Sequence, residues 1–283
     1  MRILTIILII SLLGNLVGLL VVYKYFKKNR YVAEIEQRLA DKQRVLDRVN
    51  QTFSERLVFI HHSVGRNWLD EGGLRDSLMA MGIGVHGASR QCDLGKNTDL
   101  NHWLPKFEGK LETIFKFDQQ TGSVADGSPE NDIIMFKSCY PNSNIVSDGA
   151  EIGNPYDETR TLSNYRATFD SLKNIFSQNA AKKFIYVTAP PLVPSKTTPE
   201  NAARARQFNN WLTNEFLQQY REDTVLDNFY IFDFFDLLAD EDNVLKAEYR
   251  RSDTDAHPNA AGSKAATAAF IEFVKENEIL SKS

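Results

Sequence analysis

Two cysteines among 283 residues exclude a disulfide framework, and five histidines leave no His-rich metal tract. Nine prolines and fifteen glycines without a repeat exclude collagen-like and low-complexity chains. The chain also lacks a basic excess, with 33 Lys and Arg against 37 Asp and Glu. Acid is missing altogether from residues 1–30, which hold Arg2, Lys24, Lys27, Lys28 and Arg30. The remainder therefore carries 28 basic and 37 acidic residues, a balance of −9. So acidic a body excludes nucleic acid as a partner, because phosphate neutralisation needs clustered Lys and Arg.

One long hydrophobic run is present. Residues 3–22 contain no charge, and twenty residues at about 1.5 Å each span a bilayer core of roughly 30 Å as a helix. Tyr23 and Tyr25 follow as an interfacial belt, then Lys24, Lys27 and Lys28, with no small-residue cleavage site. Residues 1–30 therefore read as an uncleaved single-pass membrane anchor, the alternative being a long signal peptide. The flanking Lys and Arg place the following domain in the cytoplasm. A signal anchor ahead of a large domain usually serves a substrate outside the cytoplasm, which argues the reverse, and the extracytoplasmic placement is the one adopted. Residues 31–56 read as a helical stalk without Gly or Pro. Val32, Ile35, Leu39, Leu46, Val49 and Phe53 fall on a heptad seam, with Lys42 at the remaining seam position. Such a helix over 32–53 pairs two copies as a short coiled coil, or else packs on its own domain or stands as a solvated stalk.

From residue 57 apolar strands alternate with helical segments. Strands are expected at 57–60, 83–86, 133–136, 184–187 and 229–232. Helices are expected at 67–81, 100–117, 162–176, 199–220 and 259–277, with polar loops at 118–131 and 139–160. This is the pattern of a three-layer α/β/α domain over 57–283 with a parallel, flavodoxin-like sheet of about five strands. Ligands of such sheets bind beyond the carboxyl ends of the strands, so the informative residues lie just after each strand.

After the first strand comes His61-His62-Ser63-Val64-Gly65. Ser63 stands at a strand-to-helix turn, where a nucleophile is presented and helix amides face a developing negative charge; a plain helix cap is the simpler alternative. Gly87 follows the second strand and allows close backbone approach. After the third comes Lys137-Ser138-Cys139-Tyr140-Pro141-Asn142-Ser143-Asn144, with two Asn side chains able to donate to an oxyanion. Near the C-terminus, Asp253-Thr-Asp255-Ala-His257-Pro258-Asn259 places a histidine before a helix with carboxylates two and four residues upstream, the makings of an oriented general base.

Together these blocks resemble the SGNH hydrolases, the GDSL-type lipases and esterases, over about residues 57–278. Ala189-Pro190-Pro191 after the fourth strand belongs to the same resemblance. It implies Ser63 as nucleophile and His257 as base. The amides of Ser63 and Gly87, with the side chain of Asn142 or Asn144, would form the oxyanion hole. The usual Gly-Asp-Ser is replaced by His61-His62-Ser63, and the usual Gly-x-Asn-Asp by Ser-Cys-Tyr-Pro-Asn-Ser-Asn. The position three before the histidine is Thr254, so Asp255, or alternatively Asp253, must orient the base.

His62, Arg66, Trp68 and Tyr140 are candidates to line the substrate site, with Trp68 and Trp103 equally readable as core. Adjacent histidines on an extended segment point to opposite faces, so no metal is assigned, and ester chemistry on a serine needs no cofactor. In an oxidising compartment Cys92 and Cys139, both at the active-site edge, can pair. The resulting expectation is a membrane-anchored serine esterase acting on O-acyl esters, acetyl above all, of a carbohydrate. Its alternatives are an O-acyltransferase with the same machinery and a non-catalytic binding or scaffolding domain on the hydrolase fold.

Overall fold

A computed structural model describes residues 53–119 and 129–280, the backbone of 123–124, and the lone position 32. The anchor at 3–22 and nearly all of the stalk lie outside the described residues. Among the described residues no helix is long and apolar enough to cross a membrane. Residues 53–283 form one of two compact units of the chain.

Five strands make one wholly parallel sheet: β1 (Glu55–Ile60), β2 (Ile83–Ala88), β3 (Ile133–Lys137), β4 (Lys183–Val187) and β5 (Phe229–Phe232), in the order β2-β1-β3-β4-β5. Each strand is buried on both faces, which is why it reads in sequence as a continuous apolar run rather than an alternation. One face packs against α1 (Ser63–Asp70), α2 (Leu74–Ala80), and two later helices introduced below. The other packs against α3 (Leu100–Lys116), α4 (Leu162–Gln178) and α5 (Pro199–Asn210). After α5 the chain runs through a π-helical turn, Trp211–Phe216, into α6 (Leu217–Thr224). The helices of the first face are completed by α7 (Phe234–Leu238) and α8 (Ala260–Glu276). The chain moves from β1 outward to β2 and then crosses to β3 on the other side of β1. In sheets of this kind ligands bind beyond the carboxyl ends of the strands at such a reversal of order, which here falls between β1 and β3.

Several boundaries differ from the sequence reading, each for a local reason. Glu55 and Arg56 belong to β1, not to the stalk. Phe53 at the end of the heptad seam is non-helical and lies over Gly84. The helix expected over 67–81 is two helices, starting at Ser63 and broken where Gly73 adopts a left-handed φ of 72°. The expected loop 118–131 begins with a two-residue ribbon pairing Phe117–Asp118 with Ser123–Val124. β2 runs two residues further than expected, through Gly87 and Ala88. A hairpin of β6 (Arg250–Ser252) and β7 (Asp255–Pro258) precedes the last helix, where no strand is expected from the sequence. That helix is capped by Asn259, whose Oδ1 accepts from Gly262 N–H at 3.0 Å.

Candidate active site

Ser63 is the first residue of α1, and the N-terminal position puts its backbone N–H among those without an intrahelical acceptor. A Cβ on Gly65 would fall on the His61 side chain, so glycine lets α1 sit close over the end of β1. From the opposite end of the chain, β7 carries His257 to the same point. Ser63 Oγ lies 2.8 Å from His257 Nε2, and His257 Nδ1 lies 2.6 Å from Asp255 Oδ1. The same carboxylate oxygen accepts the His257 backbone N–H at 3.0 Å, which fixes both ring and main chain. Burial pushes the Asp255 carboxyl up, but the bonds from the His257 backbone and ring outweigh it and hold the carboxyl below its ordinary value. Asp255 rather than Asp253 therefore faces the ring. Asp253 is exposed, and its main-chain carbonyl accepts from Ser195 Oγ.

The other residues singled out in sequence do not all gather here. Because β2 is longer than expected, Gly87 sits within the edge strand. Its N–H donates to Gln119 Oε1 at 2.9 Å, beside a cavity of about 390 Å³ that Ser63 does not line. Asn142 is buried and committed: its Nδ2 donates to Asp99 Oδ1 at 2.7 Å, and its Oδ1 accepts from Leu100 N–H at 2.9 Å. Asn144 Oδ1 accepts from Thr197 Oγ1 and Asn201 Nδ2 at the start of α5. Trp68 is fully buried, stacked on Phe232 with its Nε1–H on Thr267 Oγ1, so it is core rather than substrate wall. Trp103 is core as well, donating to Ser138 Oγ at 2.8 Å. Arg66 is exposed and lines the cavity below Gly87. Both cysteines are free: Cys92 packs against the core of one sheet face and Cys139 belongs to that of the other, which keeps them apart.

His62, the residue before Ser63, has its Nε2 3.0 Å from the Gly95 carbonyl. Burial, then the nearby Arg90 charge, lowers its pKa, so it serves there as a neutral donor. Tyr140 sets its ring edge-on to His257, centroids 4.9 Å apart. Three neighbours escaped the sequence reading in their present roles. Cys139 Sγ lies 3.9 Å from Ser63 Oγ. Arg90 reaches to 3.5 Å from His62 Nδ1. Lys196 stands over the Tyr140 ring at 5.6 Å. Cys139 follows a strand directly and was findable by that rule; Arg90 follows one only once β2 is extended, and Lys196 carries no sequence signal.

Lys137, at the end of β3, is 1% exposed, donates to the Ser138 carbonyl at 2.8 Å and lies over the Phe234 ring. No carboxylate partners it among the described residues, and burial drives its pKa down to about 8. Below pH 8 both folded and unfolded chains hold the proton, and the folded state bears the whole cost of burying it. Between pH 8 and the ordinary value of 10.5 only the unfolded chain holds it, so stability rises with pH there. Lys137→Met is therefore expected to stabilise the domain at pH 7 by about 2 kcal/mol. Urea unfolding at pH 7 and pH 10 checks this: the advantage should shrink at the higher pH, and a destabilised variant at pH 7 would refute the account.

No protein-family model and no curated protein sequence matches the chain. Among solved structures, it is similar to a GDSL-like lipase from Bacteroides thetaiotaomicron, at 14% identity and a TM-score of 0.44, over 83% of this chain and 97% of that one. It is also similar to a protein provisionally named a platelet activating factor from Streptococcus pneumonia, at 13% identity and a TM-score of 0.46, over 86% of this chain and 97% of that one. Both superpositions are loose, and the functional reading rests on the geometry of the site itself.

Proposed function

We propose that the chain is a serine ester hydrolase of the SGNH type, held at a membrane by residues 3–22 and acting on O-acetyl esters of a carbohydrate outside the cytoplasm. The observation that carries the hydrolase reading is the relay Ser63–His257–Asp255, with contacts of 2.8 and 2.6 Å, at the strand-order reversal of the sheet. His257 Nε2 takes the Ser63 proton as Oγ attacks the ester carbonyl. The tetrahedral oxyanion is met by the Ser63 N–H at the start of α1, where the helix dipole favours negative charge. Collapse expels the alcohol, which receives its proton from His257. Water, deprotonated by the same ring, then releases acetate from the acyl-enzyme; a sugar hydroxyl in place of that water would make the chain a transferase.

A second reading, a binding or scaffolding domain, is favoured by one feature. The Gly87 amide and the Asn142 side chain, expected in the oxyanion hole, are bonded elsewhere. The two readings part on a fluorophosphonate probe applied to the full-length chain. The hydrolase reading expects stoichiometric label on the peptide containing Ser63, lost in His257→Ala. A folded chain that takes no label would favour the scaffold.

A further inference from the structure

The basic side chains of this domain are mostly matched with carboxylates. Arg251 pairs with Glu71, Arg250 with Asp240, Lys173 with Asp223, and Lys96 and Lys110 share Asp93. Two cations at the mouth of the site break this pattern. Arg90 is exposed, and its guanidinium lies 3.5 Å from Nδ1 of His62, the residue preceding Ser63. Lys196 is exposed, with Nζ over Tyr140, whose ring contacts His257. One cation thus stands on the serine side of the catalytic pair and one on the histidine side. Neither forms an ion pair with a carboxylate among the described residues.

The acids of the neighbourhood are already engaged. Asp255 holds His257, Asp93 holds Lys96 and Lys110, and Asp99 accepts from Asn142. Beside Arg90 in the chain, Ser89 and Gln91 line the cavity of about 390 Å³, which also receives Arg66 and Arg75 and has Asp70 as its acidic lining residue. Beyond residue 30 the chain carries a balance of −9. An anionic substrate is repelled by the general surface of such a domain and attracted at this one mouth, which gives selectivity by position.

We infer that the ester taken by this site carries an anionic group, carboxylate or phosphate, on its alcohol portion, held between Arg90 and Lys196 while the acyl carbonyl meets Ser63. This rests on the hydrolase reading above and deepens it. The test uses the full-length chain and three acetylated methyl glycosides: a neutral glucoside, a glucuronide, and a glucoside phosphate. At low ionic strength kcat/KM is expected to be at least about tenfold higher for one or both anionic esters than for the neutral one, with the preference falling as salt is added. In the double variant Arg90→Gln/Lys196→Gln the anionic-to-neutral ratio should fall toward one, through KM. Comparing glucuronide with phosphate identifies which anion the mouth is built for. Equal kcat/KM for all three esters, or a preference that survives in the double variant, would overturn the inference while leaving the hydrolase reading intact. No turnover of any ester together with an unlabelled Ser63 would bring down both.

Discussion

His257→Ala is expected to lower kcat for a small acetyl ester by about 10⁴-fold or more, with little change in KM, and Ser63→Ala by a comparable factor. The reason lies in how the three groups depend on one another. Ser63 Oγ has His257 Nε2 at 2.8 Å as its proton acceptor, and that ring is held by a carboxylate that also grips its backbone. Removing the ring leaves a serine hydroxyl with no base; removing the hydroxyl leaves a base with nothing to activate. The double variant should therefore be no slower than either single one, since a relay acts as a unit. Asp255→Asn should cost about 10³- to 10⁴-fold by favouring the wrong imidazole tautomer. Asp253→Asn should leave kcat unchanged, because that side chain is exposed and does not face the ring. Steady-state kinetics on the full-length chain decide the matter. Retention of a tenth or more of the activity in Ser63→Ala would remove this serine from the chemistry.

What could be read from the sequence, and what could not, follows from the range of the interactions involved. The five strands were legible because burial on both faces demands uninterrupted apolar runs, as in residues 133–136 and 184–187. Ser63 and His257 were legible because a parallel sheet delivers strand ends to one edge, whatever their separation in sequence. Gly87 was misplaced because His86-Gly87-Ala88 lacks apolar bulk, so nothing in the sequence marks the last turn of pairing with β1 that takes it into the edge strand. Asn142 and Asn144 have the right chemistry in the right loop. Yet a buried amide is claimed by whatever backbone lies nearest, here the start of α3 for Asn142. The hairpin that presents His257 was hidden because Arg250, Arg251 and Ser252 form a polar edge with no alternation to betray it. Arg90 and Lys196 were invisible as a pair for a plainer reason: whether a surface cation has a carboxylate partner is a property of three-dimensional neighbours alone.

The second large effect concerns acid. The domain is expected to lose about 4 kcal/mol of stability between pH 7.5 and pH 5, from two histidines with no part in the proposed chemistry. His61 is buried at the end of β1, with Nδ1 2.7 Å from the His62 carbonyl. Burial drives its pKa to about 3 against that hydrogen bond, with Lys137 and Arg75 adding to the fall. His86 lies in the edge strand, where its Nδ1 accepts from Gln119 N–H. Burial and then Arg56 lower it to about 4, against the pull of Asp118. In both cases the folded pKa lies below the ordinary 6.5, so the sign is the same. Above 6.5 neither state is protonated and the full stability is present. As pH falls below 6.5 the unfolded chain binds protons that the folded one refuses, and stability drops until the folded pKa is reached. At pH 5 each histidine accounts for about 2 kcal/mol, a sizeable share of the 5–15 kcal/mol typical of a whole domain. Urea unfolding at pH 7.5 and pH 5 should show the loss in the wild-type chain and about half of it in His61→Asn or His86→Asn, each measured against its own stability at pH 7.5. Variants whose stability falls with acid as steeply as the wild type would show that other groups govern it. The consequence for function is direct, because His61 lies beneath α1 against Gly65. The folded state refuses that proton until about pH 3, so acid removes the packing that positions Ser63 by unfolding the domain, and the loss of activity from this source should track the loss of the fold.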